Sequence, residues 1–119
     1  MFDALLVTGI RVEGRHGVLP EEQERPQPFE VDLEIEVDLR TAGASDHLGD
    51  TVDYAVVASE VSSIVGSRSF ALLERLAEEI ARCVLAFGEV RGVTVTVKKL
   101  DPPMPMSVEH VAARIYRSR

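Results

Sequence analysis

The stretch Phe29–Arg40, FEVDLEIEVDLR, alternates without a break. Side chains of an extended chain point to opposite faces with a period of two. Phe29, Val31, Leu33, Ile35, Val37 and Leu39 therefore share one face, and Glu30, Asp32, Glu34, Glu36 and Asp38 share the other. This is the clearest strand in the chain, with one face for a core and one for water. Five acids in a row on a strand do not make a metal site, because their side chains diverge instead of converging on one ion. They read as a solvated face.

Upstream, residues 4–13 (ALLVTGIRVE) are β-branched enough for a first strand, with Gly9 marking a bulge or a close backbone contact. The connection GRHGVLPEEQERPQP between the two strands is rich in Gly, Pro and charge. Downstream, AGASDHLGDTVD is turn and loop chemistry. A helix fits from Asp53 to Val65, its apolar stripe built from Tyr54, Val57, Ala58, Val61, Ile64 and Val65. GSRS breaks it, and Ser69 is the expected N-cap of a second helix carrying Leu73, Leu76, Ala77, Ile80, Ala81 and Val84 at helical spacing. Val93–Lys99 reads as a third strand and His110–Tyr116 as a fourth. The order ββααββ predicts an α+β fold: a four-stranded antiparallel sheet with two helices on one face.

At 119 residues the chain is long enough for one domain with a real core and too short for two. A net charge of −7 leaves no basic footprint for nucleic acid and would be repelled by an acidic membrane surface. The N-terminal apolar run is too short for a signal peptide or a membrane span, which indicates a cytoplasmic protein. Cys83 stands alone in an apolar helical pattern and reads as a small core residue in a reducing compartment.

Strand parity singles out one lysine. Val93, Val95 and Val97 share a face, and counting by two puts Lys99 on it, while Lys98 falls with Thr94 and Thr96 on the wet side. Lys99 is either a strand-end lysine that snorkels to water or pairs with an acid, or a half-buried amine able to exchange protons near neutrality. Tyr54, at the start of the first helix, either fills core or presents its ring and phenol to a flat ligand. Glu74, early in the second helix, either favours the helix dipole or offers two oxygens to paired N–H donors. Glu21, Glu22 and Glu24 form an acidic loop cluster with nothing local to rank them. His16, His47, His110 and Cys83 show no metal-ligand spacing, and no GxSxG, P-loop or GxGxxG occurs.

Taken in order, four segments resemble the bacterial dihydroneopterin aldolase family: GRHGVLPEEQERPQPFEVD, SDHLGDTVDY, LLERLAEEIA and VKKLDPPMP. The resemblance runs over nearly the whole chain. It implies the tunnelling fold, in which ββααββ subunits join their sheets around a ring as homotetramers or stacked octamers, with active sites between subunits. It also implies a pterin substrate, 7,8-dihydroneopterin, cleaved to 6-hydroxymethyl-7,8-dihydropterin and glycolaldehyde for folate biosynthesis, with no metal or other cofactor. By position, the family's catalytic lysine falls on Lys99 and its tyrosine on Tyr54. Its pterin-anchoring glutamate falls on Glu74, beside Leu73, which offers a backbone group. Its loop glutamate falls on Glu22, and Val52 and Asp53 match the segment lying along the pterin from a neighbouring subunit. Pro26-Gln27 departs from the family's usual Gly-Gln, and Met104 from its commoner Ile.

Two other functions fit the same segments. A dihydroneopterin or dihydroneopterin triphosphate epimerase shares the intermediate but would want basic residues about the side-chain pocket. A non-catalytic pterin-binding ring former would leave Lys99 and Tyr54 free to vary.

Overall fold

The computed structural model describes residues 3–119. Its sheet runs β1 (Ala4–Gly14), β2 (Gln27–Glu36), β3 (Gly92–Lys99) and β4 (Val111–Ser118), in that spatial order and antiparallel throughout. Between β1 and β2 lies a short helix, α1 (Pro20–Glu24). Between β2 and β3 come α2 (Arg40–Ser45), a 3₁₀ turn (Leu48–Asp50), α3 (Tyr54–Ser67) and α4 (Leu73–Leu85). The expected α+β order holds, with two long helices over one sheet face. α3 lies over β1, α4 over β3 and β4, and the two helices pack on each other.

The period-two reading of β2 holds in detail. Phe29, Val31, Leu33 and Ile35 are buried and meet Val93, Val95 and Val97 of β3, Val57, Val61 and Val65 of α3, and Leu76, Ile80 and Val84 of α4. Burying each such side chain stabilises the fold by roughly 1.5–3 kcal/mol before entropy is set against it. The opposite face is a charge lattice in which Lys98 Nζ lies 3.2 Å from Glu30 and 3.0 Å from Asp32, and Arg11 pairs with Glu30.

Gly9 is the bulge that keeps this alternation intact along β1. Val7 pairs with Leu33 and Ile10 with Val31, so one extra residue is absorbed and both stay on the core face. Gly9 takes φ +76°, which L-residues resist, and its N–H donates to the Asp32 carboxylate at 2.7 Å.

Five local expectations are corrected. β2 stops at Glu36: the Val37 N–H still donates to the Asp3 carbonyl, one step on from the Ala4–Glu36 pair, but the Leu39 N–H turns to the Asp3 carboxylate and α2 begins at Arg40. The 42–53 stretch holds part of α2 and the 3₁₀ turn as well as loop, and the first connection contains α1. Ser69 is not a helix N-cap: its hydroxyl donates to the Arg15 carbonyl, and α4 starts at Leu73 behind Leu72. Cys83 is half-buried beside the Glu60 carboxylate, not a core residue, and burial first and that carboxylate second push its thiol up to about 11. Among the described residues no helix is long and apolar enough to cross a membrane.

Candidate active site

The end of β3 brings Lys99 opposite Phe29 of β2, on the apolar side of the sheet where parity put it. Its side chain is only 12% exposed, and its Nζ lies 2.7 Å from Glu22 Oε2, itself 7% exposed. The carboxylate arrives there through the β1–β2 connection. Pro20 pre-sets φ for the first turn of α1, and Glu22, in that turn, points back so that the Leu19 N–H donates to Oε1 at 3.4 Å. Gln27, two residues before Phe29, donates to Oε2 at 3.1 Å. Burial pushes the Glu22 carboxyl up, but the hydrogen bonds from Lys99, Gln27 and Leu19 outweigh it and hold its pKa below the usual carboxylate value. Pro26 sits between α1 and Gln27 without preventing either contact.

Gly17 makes room for this carboxylate. A Cβ there would stand 2.2 Å from Glu22 Oε1 and 2.6 Å from Oε2. The Gly17 carbonyl accepts from Gln23 at 3.0 Å and its N–H donates to the Phe70 carbonyl at 3.0 Å.

Glu22 and Lys99 form the polar floor of a cleft of about 350 Å³. Val18, Leu19, Leu73, Pro102, Pro103, Met104 and Val111 supply apolar walls. A larger hollow of about 490 Å³, between α4 and β4, is crossed by the Glu78–Arg117 ion pair and contains neither Glu22 nor Lys99. The smaller cleft has the features of a reaction site: apolar slabs for a flat ring and one desolvated acid–base pair beneath them. Among the described residues no group of three His, Cys, Asp or Glu side chains is arranged to hold a metal ion.

The remaining sequence-nominated residues divide in two. Leu73 lines the cleft, and Glu74 follows it as an exposed residue in the first turn of α4. Val52, Asp53 and Tyr54 lie elsewhere. Asp53 caps α3 by accepting from the Ala55 N–H at 3.0 Å, Val52 is buried, and Tyr54 is 62% exposed instead of completing the core stripe. Val65, near the other end of α3, touches His16 beside the Lys99 site. Tyr54 is eleven residues earlier, about 16 Å along the helix axis at 1.5 Å per residue. One chain does not bring Tyr54 to its own Lys99.

Gln27, Gly17 and His16 were missed as parts of this site. The two glycines around Arg15-His16 were the readable signal, since they permit close approach, but what approaches them comes from far along the chain.

Known proteins resemble this chain in sequence and in fold. The family model described as FolB, dihydroneopterin aldolase, matches residues 5–116. A dihydroneopterin aldolase of Methylorubrum extorquens is 41% identical over 100% of this chain and 92% of its own. One from Streptomyces coelicolor is 40% identical over 98% of both chains. The crystal structure of the Escherichia coli dihydroneopterin aldolase in complex with neopterin superposes with a TM-score of 0.89 at 33% identity, covering 98% of this chain and 99% of that one.

Proposed function

The chain belongs to the dihydroneopterin aldolase family, and we propose that it cleaves 7,8-dihydroneopterin by a retro-aldol reaction in which Lys99 is the general base. The observation that carries this reading is the buried Glu22–Lys99 pair, 2.7 Å apart under apolar walls.

Retro-aldol cleavage removes the proton of the side-chain 2′-hydroxyl, turns that C–O bond into a carbonyl and breaks the C1′–C2′ bond. The released electron pair needs a sink. Aldolases commonly provide a lysine Schiff base or a divalent metal, but the dihydropterin carries its own imine, C6=N5, conjugated to C1′. Lys99 takes the hydroxyl proton, with Glu22 in reach to receive the proton that Nζ must first shed. Glycolaldehyde leaves, and protonation of C1′ gives 6-hydroxymethyl-7,8-dihydropterin. A well-placed proton-transfer group of this kind contributes about 10²–10⁴ in rate.

Glu74, beside Leu73, accepts bidentately from the pterin amino group and N3–H. Each such charge-assisted bond is worth roughly 1.5–3 kcal/mol. Tyr54, with Val52 and Asp53, closes the cleft from a neighbouring subunit, packs against the ring and assists protonation at C1′. The distance along α3 supports a shared site. So do the exposed apolar residues Leu48, Tyr54 and Val56 at one end and Val18, Leu19 and Met104 at the other. Among the described residues the outer edges of β1 and β4 have no strand neighbour within one chain, which suits ring closure by sheet extension into a tetramer or octamer.

Incubation with 7,8-dihydroneopterin in excess EDTA, with pterins and glycolaldehyde followed by chromatography, tests the reading. Equimolar release of glycolaldehyde and 6-hydroxymethyl-7,8-dihydropterin is expected. Side-chain inversion without cleavage, or pterin binding without either product, would overturn it.

A further inference from the structure

His16 takes no part in the chemistry above, yet it is among the most buried polar side chains, 1% exposed. Its Nε2 lies 2.7 Å from the Val65 carbonyl, and its Nδ1 lies 3.1 Å from the Phe70 N–H. A carbonyl only accepts and a backbone N–H only donates, so the partners dictate one state: neutral imidazole with the proton on Nε2 and a bare Nδ1. The ring stands edge-on to Phe29 at 5.1 Å and stacks on Phe70 at 5.8 Å. Phe29 is the cross-strand neighbour of Lys99.

Two further hydrogen bonds join the same segments, Gly17 N–H to the Phe70 carbonyl and the Ser69 hydroxyl to the Arg15 carbonyl. Residues 15–17 lead directly into Val18, Leu19 and Glu22, one wall of the cleft. Residues 69–70 lead into Leu73, on the other side, with Glu74 next along α4. Among the described residues no regular secondary structure ties these two connections together, so their spacing depends on these hydrogen bonds, of which the one to His16 is accepted by a buried side chain.

We propose that His16 is a positioning residue for the reaction: its neutral ring ties the wall carrying Glu22 to the wall carrying Leu73 and fixes the width of the cleft between them. The proposal rests on the pterin-cleaving reading of that cleft. Substrate must satisfy Glu22 and Lys99 at one end and the start of α4 at the other, so a slack clamp is felt as lost affinity more than as slower proton transfer.

The clamp is also sensitive to acid. Protonation would turn Nδ1 into a donor facing the Phe70 N–H. Burial lowers the imidazole pKa from 6.5, the Val65 carbonyl opposes that, and the Lys99 ammonium lowers it further. The charged groups about the ring are Lys99 from β3, Glu22 from α1, Glu13 and Arg15 flanking it on its own segment, and Arg68, whose guanidinium lies 4.9 Å from the Phe70 ring centre. The Glu22 carboxyl titrates below 4.5 and the His16 imidazole below 6.5, so a variant that cannot titrate, and not the pH alone, separates the two.

His16→Asn retains an acceptor near the Nδ1 position and cannot titrate, whereas His16→Leu fills the space and removes the acceptor. Steady-state cleavage of 7,8-dihydroneopterin and fluorescence titration with neopterin, which needs no turnover, are measured from pH 7.5 to 5. His16→Leu should raise KM and the neopterin Kd about tenfold with kcat within threefold, as expected for one lost buried hydrogen bond. His16→Asn should stay within threefold of wild type at pH 7.5 and lose the wild-type rise in KM below pH 6.5. If His16→Leu does not fold, the pH profile of His16→Asn decides alone. Unchanged KM and Kd in a folded His16→Leu protein, or the same acid rise in His16→Asn, would overturn the proposal. Wild-type protein that binds neopterin without cleaving substrate removes the aldolase reading and leaves the Kd comparison to judge His16. Neither binding nor cleavage overturns both.

Discussion

Gly17→Ala should disable the Glu22–Lys99 pair without touching either residue. The new Cβ would stand 2.2, 2.3 and 2.6 Å from three atoms of the Glu22 carboxylate. Non-bonded heavy atoms settle at roughly 3.5 Å, so the carboxylate must retreat by about 1 Å. Retreat takes Oε2 from its 2.7 Å contact with Lys99 towards the limit of hydrogen bonding. A charge-assisted hydrogen bond is worth roughly 1.5–3 kcal/mol, and a 1 Å misplacement of reacting groups can cost about 100-fold. The expected result is a fall of about 100-fold in kcat/KM. Stability should fall by no more than about 3 kcal/mol, since the clashing atoms end a flexible side chain and can swing aside. A positive φ at Gly17 adds some backbone strain, the same whatever occupies position 22. The assay is therefore a cycle: kcat/KM for 7,8-dihydroneopterin in wild type, Gly17→Ala, Glu22→Ala and the double variant. With the carboxylate already gone, Gly17→Ala should cost less than about threefold more. An equal 100-fold loss in both backgrounds would show that the glycine acts on the backbone and not through Glu22.

Lys99→Ala should lower cleavage by about 10²–10⁴ while neopterin still binds, and a loss under tenfold would remove it as general base. Co-expressing Lys99→Ala with Tyr54→Phe chains should give mixed rings in which some sites take an intact residue from each partner. Turnover above that of either variant alone is the expected reading, and none above background would argue against a shared site. Below pH 4.5 stability should fall. The Glu22 pKa is lower in the folded chain than its ordinary value of 4.5, so its pairing stabilises fully above that value and is lost as pH drops through the folded one. Urea midpoints at pH 7, 4 and 3 should drop less steeply for Glu22→Gln than for wild type, and parallel curves would exclude Glu22 as the source.

Alternation over Phe29–Leu39 gave the central strand and its buried face, and the same parity separated Lys98, locked in the wet charge lattice, from Lys99 at the cleft. Glycine chemistry gave the bulge at Gly9. These features were legible because they obey periods of two or 3.6 residues, which depend on the backbone alone. Ser69 misled because a hydroxyl before an apolar stripe is a cap only if the helix begins there, and a distant carbonyl, Arg15, claimed it instead. Tyr54 misled in a similar way: it matches the helical period of the core stripe, yet it lies at the exposed start of α3.

Composition and spacing by themselves determined an acidic α+β chain with a lysine displaced onto an apolar face. Only the tertiary structure decided which acid that lysine meets. Glu22 and Lys99 are 77 positions apart, His16 and Phe70 are 54 apart, and His16 and Val65 are 49 apart. No local period carries such contacts. They arise because antiparallel pairing of β2 with β3 and the packing of α3 and α4 on the sheet return remote loops to one end of the molecule. There burial makes each unpaired polar group costly, and the partners that fold delivers are the ones that satisfy it.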